Sequence, residues 1–347
     1  MKLSSALLYA GNPREAADQV VGLEQAGLDT IWVAEAYGFD SPTLMGYLAA
    51  KTNTVEIGSA ILNVYSRTPG ALLQTAAGLD NVSGGRAIIG LGASGPQVIE
   101  GFHGVPYANP LGRTREIVEL IRSGLRREPL VHEGTFNVPL TKDKGAVTGL
   151  GKPLKLLVTP ERPSIPIYIA ALGEKSVAGT AEYADGWIPF LYHPEKASSV
   201  WGDALAKGAA KRHDGLAPLE VVAGGMVAIG EGPETKALLD FARPLVALYV
   251  GGMGARDKNF YNTLFRNYGY EKEAQEIQDL YLEGKKKEAE ALVPLGFLEA
   301  MNLVGPESYV KERIAAFRES GVTNLQITPF AEDAPALVTR VKELINA

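Results

Sequence analysis

The chain of 347 residues is 46% hydrophobic and 21% charged, with a net charge of −6, the balance of a globular protein with a substantial core. No basic block or basic amphipathic stripe is present, which argues against nucleic acid or an anionic membrane as partner; Lys285-Lys286-Lys287 sits among glutamates as a solvated helical face. With no cysteine, and with four histidines (His103, His132, His193, His213) at no helical ligand spacing, the composition excludes disulfides, iron–sulfur clusters and a Cys nucleophile, and it offers no metal site.

The N-terminal apolar run is too short for a signal peptide and no membrane-length apolar span follows, so the chain reads as a soluble, cytoplasmic protein. Short apolar runs then alternate with amphipathic helical patterns. Leu3 to Tyr9 reads as a first strand, followed by a helix from Pro13 with Gly27 just past its end. Ala16, Val20, Leu23 and Ala26 recur along that helix at three- and four-residue spacing. Strand two spans Thr30 to Ala34, with a helix from Ser41, an N-cap candidate before Pro42. Strand three covers Val55 to Leu62, with a helix near Thr68-Pro69, and strand four covers Arg86 to Leu91. Helical pattern resumes from Asn109 to Leu125. Strands five to eight fall at Ile165–Ala170, Trp187–Phe190, Glu220–Ile229 and Asn324–Thr328, each followed by a helical pattern.

Eight strand–helix units in series predict one α/β domain over residues 1–347, a (β/α)8 TIM barrel. Such a barrel needs about 250 residues, which leaves two stretches as insertions. Residues 129–163 are rich in Gly, Pro and Lys; residues 251–302 are polar, aromatic and helical. Insertions at the C-terminal face of a barrel form lids and pocket walls.

After strand four, Gly90, Gly92 and Gly95 satisfy the dinucleotide pattern G-x-G-x-x-G. A Rossmann domain would place that loop after its first strand, with a ribose-binding acid at the end of the second. Here three strand–helix units precede it, and the candidate acids Glu116 and Glu119 lie inside a helical pattern. The local chemistry still suits an anion. Gly92-Ala93-Ser94-Gly95 brings backbone N–H groups and a hydroxyl to one place, and Pro96 opens a helix. A plain tight turn is the structural alternative.

Four ordered segments, TIWVAEAYGFD (30–40), IGSAILNVYSRTP (57–69), GLGASGPQVIEGFHGVPY (90–107) and PIYIAALGEKSVAGTAEYADGW (166–187), resemble the luciferase-like superfamily. More narrowly they resemble its deazaflavin (coenzyme F420)-dependent oxidoreductases, the methylene-tetrahydromethanopterin-reductase-like group. The resemblance is weakest over the two insertions. It implies a non-prolyl cis peptide in a strand-three bulge at Ala60–Ile61 that backs the deazaflavin ring, with Asn63 on the ring's polar edge. Gly92, Ala93, Ser94, Gly95, Pro96 and Gln97 would hold the phosphate side. Ala171, Leu172, Gly173, Glu174 and Lys175 would line the same groove. Glu35, or Tyr37 beside it, would relay a proton, and Ala36 stands where the family's sugar-phosphate dehydrogenases carry His. The rim candidates are His103, Tyr107, Trp187 and His193, with His193 after strand six the stronger histidine. The resemblance thus implies hydride transfer between coenzyme F420 and a small organic substrate by a homodimer. The rival readings are an FMN-dependent luciferase-like monooxygenase and a non-catalytic deazaflavin carrier.

Overall fold

Eight strands pair in parallel, each with the next, and the last closes on the first. In the computed structural model, which describes residues 1–9 and 11–347, the circuit runs through β1 (Lys2–Ala6), β2 (Thr30–Val33), β3 (Glu56–Ser59, resuming at Leu62–Asn63), β4 (Ala87–Gly92), β5 (Ile167–Ala170), β6 (Gly186–Ile188), β7 (Glu220–Ile229) and β8 (Asn324–Pro329). Strands buried on both faces are near-continuous apolar runs. Every residue of β2 and of β4 is accordingly buried.

The outer helices are α1 (Pro13–Gln25), α2 (Ser41–Lys51), α3 (Pro69–Ser83), α4 (Pro110–Leu125), α5 (Glu174–Tyr183), α6 (Pro194–Ala209), α7 (Glu307–Glu319) and α8 (Ala334–Asn346). Side chains at Asn12, Asp40, Thr68, Asn109 and Asp333 cap α1, α2, α3, α4 and α8, satisfying N–H groups that lack helical partners. The cap of α2 is Asp40, one residue before the expected Ser41, whose hydroxyl instead donates to the Val33 carbonyl at 3.1 Å. Among the described residues no helix is long and apolar enough to cross a membrane.

Trp32, Ile88, Tyr168 and Val222 form a separate cluster inside the barrel. Gly58 makes room for it, because an added Cβ would lie 2.2 Å from the Trp32 ring. At the N-terminal end, Lys2 reaches Glu56 (3.2 Å) and Glu220 (3.4 Å), and Tyr168 donates to Glu220 at 2.6 Å. These side chains plug the barrel floor, so access is from the other end.

The insertion at 251–302 is helical, as the sequence predicts, and it interrupts the connection between β7 and α7. It therefore stands on the C-terminal face. The excursion at 129–163 corrects the expectation that both insertions stand on the C-terminal face: it joins α4 to β5 and is rooted at the N-terminal end, where Arg162 donates to Asp80 and to the Ala87 carbonyl. Its hairpin of His132–Glu133 and Asn137–Val138 climbs back to the start of α4. There Thr135 and Phe136 donate their N–H groups to Glu116, and Arg113 lies between the Tyr65 and Phe136 rings.

Replacing Gly58 with Ala overpacks the barrel interior at a cost of ~1–3 kcal/mol. The expected result in thermal denaturation is a melting temperature several degrees below wild type; an unchanged value would contradict this packing.

Candidate cofactor and active site

The C-terminal ends of β2 to β5 carry most of the residues singled out by the sequence. β3 stops at Ser59, the Ala60–Ile61 peptide bond is cis, and pairing resumes at Leu62–Asn63 against Leu91–Gly92. At this break β3 and β4 approach closely. The Ser59 hydroxyl donates to the Gly90 carbonyl and accepts its N–H, both at 2.9 Å. A Cβ on Gly90 would fall 1.9 Å from the Ser59 carbonyl oxygen, and one on Gly92 would fall 3.0 Å from Ile61. Gly95 differs, with nothing within 4 Å of an added Cβ. The first two glycines of the motif thus accommodate the neighbouring strand, and the third faces open space.

Ser94 adopts φ +55°, turning the loop between Gly92 and Pro96, and its carbonyl accepts the Tyr107 hydroxyl at 3.1 Å. On the next strand, the Ala171 and Leu172 carbonyls accept the indole N–H groups of Trp187 and Trp201, both at 2.8 Å. These bonds hold Ala171-Leu172-Gly173 at the head of α5. No side chain caps α5 at Gly173, unlike α1 to α4 and α8. Its first-turn N–H groups, at Glu174 and Lys175, are available to an anion. Glu174 turns its carboxylate to Lys207 at 2.6 Å, and Lys175 is exposed. Ala36 and Leu191 join Ser94 as non-glycine residues at positive φ, +43° and +52°. All three follow barrel strands, at the face where such strain marks functional sites.

Glu35 is 6% exposed, and its carboxylate accepts three N–H bonds. Arg67 approaches both oxygens at 2.8 Å, and the Ser41 N–H adds a third bond at 3.0 Å. Arg67 also reaches Asp40 at 3.2 Å. The carboxylate, followed by the opposing effect of burial, raises the Arg67 pKa. A bidentate pair so placed suits holding charge and fixing the end of β2, not delivering a proton.

The Asn63 Oδ1 accepts the N–H groups of Tyr65 (3.1 Å) and Ser66 (2.7 Å). Its Nδ2 must then face outward, where it meets His103 Nε2 at 3.3 Å. A neutral imidazole accepting that bond through Nε2 would leave Nδ1 as its donor. Tyr37 lies at the rim with its ring 6.4 Å from that of Phe102.

His193 was expected at the rim as a catalytic candidate, but the structure buries it away from solvent. It is buried against Tyr268 and Phe297 of the 251–302 insertion, ring centroids 5.6 and 6.0 Å away. Its Nδ1 lies 3.1 Å from Glu195, which also pairs with Arg313. Burial pushes its pKa down. It locks the insertion onto β6. Sequence reasoning missed Arg67, whose partner lies 32 residues earlier; a pocket wall was expected from the second insertion, and Tyr249 and Tyr261 pack there on Phe190, with Phe190–Tyr249 centroids at 4.4 Å. An Arg following the third strand, beside Asn63, was the one available signal.

The Luciferase-like monooxygenase family model matches residues 1–324. A Mycobacterium tuberculosis protein, named provisionally as a coenzyme F420-dependent oxidoreductase, is 37% identical over 335 residues, covering 94% of this chain and 95% of its own. The 5,10-methylenetetrahydromethanopterin reductase of Archaeoglobus fulgidus is 26% identical, with 87% and 85% covered. The structure of the coenzyme F420-dependent tetrahydromethanopterin reductase from Methanopyrus kandleri superposes with a TM-score of 0.81 at 21% identity, covering 99% of this chain and 98% of that one; at that identity it speaks to the fold alone. With the closed barrel, the broken third strand and these matches, the chain belongs to the luciferase-like monooxygenase family.

Proposed function

We propose that this protein is a coenzyme F420-dependent oxidoreductase that transfers a hydride between the deazaflavin and a small organic substrate. One juxtaposition carries the reading. The broken end of β3, an apolar backing at Ala60 and Ile61, stands beside two glycine loops whose backbone donors lack side-chain caps. A flat ring with a phosphate-bearing tail fits that combination, and the 37% identical relative carries the F420 name. When bound, coenzyme F420 supplies or accepts the hydride, and the protein's share is orientation and exclusion of water.

In this reading Asn63 Nδ2, held by Tyr65, Ser66 and His103, offers its second proton to a polar edge of the ring. The backbone from Gly92 to Gln97, the Ser94 hydroxyl and the Glu174 and Lys175 N–H groups take the phosphate side, and the Lys175 ammonium adds charge. Ala171, Leu172 and Gly173 line the groove between these donors. Glu35 acts through Arg67 as a positioning residue, leaving proton exchange to groups on the rim, of which Tyr37 is the nearest in sequence.

The purified protein should retain coenzyme F420 through gel filtration when offered equal F420 and FMN. Retention of FMN alone, with oxygen consumption on reduction, would favour the monooxygenase reading. Gly95→Leu keeps an extended backbone (φ −109°) but fills the open cradle, so F420 affinity should fall by about tenfold or more, ~1.4 kcal/mol, with the melting temperature unchanged. Equal affinity in fluorescence titration would remove the loop from the site. Glu35→Gln removes the carboxylate from a partly buried Arg67, with an expected stability loss on the order of 3 kcal/mol in urea unfolding. A variant of full stability but abolished turnover would restore Glu35 as the proton donor.

A further inference from the structure

We propose that the substrate accepted beside the cofactor is an uncharged, largely apolar small molecule held by an aromatic rim; this rests on the cofactor reading above. Large apolar side chains are exposed where the barrel opens. Tyr37 (59%) and Phe39 (54%) flank Gly38 after β2, and Phe102 (64%) follows β4. They fall into two neighbouring groups. The Phe39 ring lies 5.9 Å from Tyr9, Tyr37 lies 6.4 Å from Phe102, and Phe102 meets His103 edge-on at 5.1 Å.

A second aromatic wall comes from the other side of the mouth. Phe190, after β6, packs on Tyr249 and Tyr261 of the β7–α7 connection, with centroids at 4.4 and 5.9 Å. Tyr249 and Tyr261 also meet edge-on at 4.7 Å, and all three rings are half-buried. Side chains of this size leave water at about 25 cal/mol per Å² of apolar area, so exposed aromatics grouped at a barrel mouth favour an apolar ligand there.

The charges at the same place point the same way. Arg67 is committed to Glu35 at 2.8 Å and to Asp40 at 3.2 Å. The three groups sum to −1 (one cation against two carboxylates), and both terminal nitrogens of the Arg67 guanidinium are already committed to carboxylates. An anionic substrate would meet net repulsion there. A neutral apolar one would meet aromatic faces, with the Tyr37 hydroxyl and the His103 Nδ1 proton as the polar groups beside them.

The test uses two probes with one ring system, 2-acetylnaphthalene and 2-naphthoate, titrated by calorimetry into the F420-loaded protein. The ketone should bind about tenfold or more tightly than the carboxylate, and Phe102→Ala, an exposed position that does not threaten folding, should weaken it by roughly threefold or more while F420 affinity holds. No ketone binding, equal binding of the two probes, or ketone binding indifferent to Phe102→Ala, with F420 still bound, would overturn the apolar-substrate inference alone. Failure of the protein to bind F420 at all would overturn the cofactor reading and this inference with it.

Discussion

The ends of β3 and β4 run so close that one strand must give up its side chain to the other's backbone. The Ser59 hydroxyl bridges the Gly90 carbonyl and N–H at 2.9 Å each, and no residue with a Cβ fits at Gly90. That contact seats the β3 break beside the loop that follows β4. β5 pairs with the far side of β4, Leu91 against Ile169, and brings its own glycine loop to the same place. Everything assigned to the cofactor groove hangs on these three adjacent strand ends, and the indole bonds from Trp187 and Trp201 hold the last of them in position.

Charge and apolar surface are divided around that groove. The donors assigned to the phosphate are backbone N–H groups, the Ser94 hydroxyl and Lys175, all on the β4 and β5 side. On the β2 side, Glu35, Arg67 and Asp40 satisfy one another, and Tyr37 and Phe39 are exposed there. A cofactor with an anionic tail and a flat ring would lie with its tail towards the first side and its ring towards the second. The barrel floor, closed by Lys2, Glu56, Glu220 and Tyr168, leaves the opposite end as the working face. The β7–α7 insertion then narrows that face with Tyr249 and Tyr261.

Much of the barrel was legible because strand and helix periods differ and Pro, Gly and capping residues punctuate them. β7 falls at Glu220–Ile229 in both sequence pattern and structure. Val55 to Leu62 is an unbroken strand-like run, so no local pattern marks the break in β3; the bulge at Ala60–Ile61 was expected only from the resemblance, because it depends on how β4 passes Ser59. The glycine motif pointed to a loop that suits an anion for a partly different reason, since two of its three glycines serve strand packing. Glu35 was found by its place at a strand end, but its partner Arg67 lies on another unit, so its burial and pairing were invisible. His193 was placed at the rim because Tyr268 and Phe297, which cover it, come from the insertion far along the chain.

A crystal structure of the protein with coenzyme F420 tests the central claim most directly. The account predicts the deazaflavin ring against Ala60 and Ile61 with Asn63 at its polar edge, and the phosphate between Gly92–Gln97 and the head of α5. A ring seated elsewhere in the barrel mouth, or a phosphate held away from both glycine loops, would contradict it.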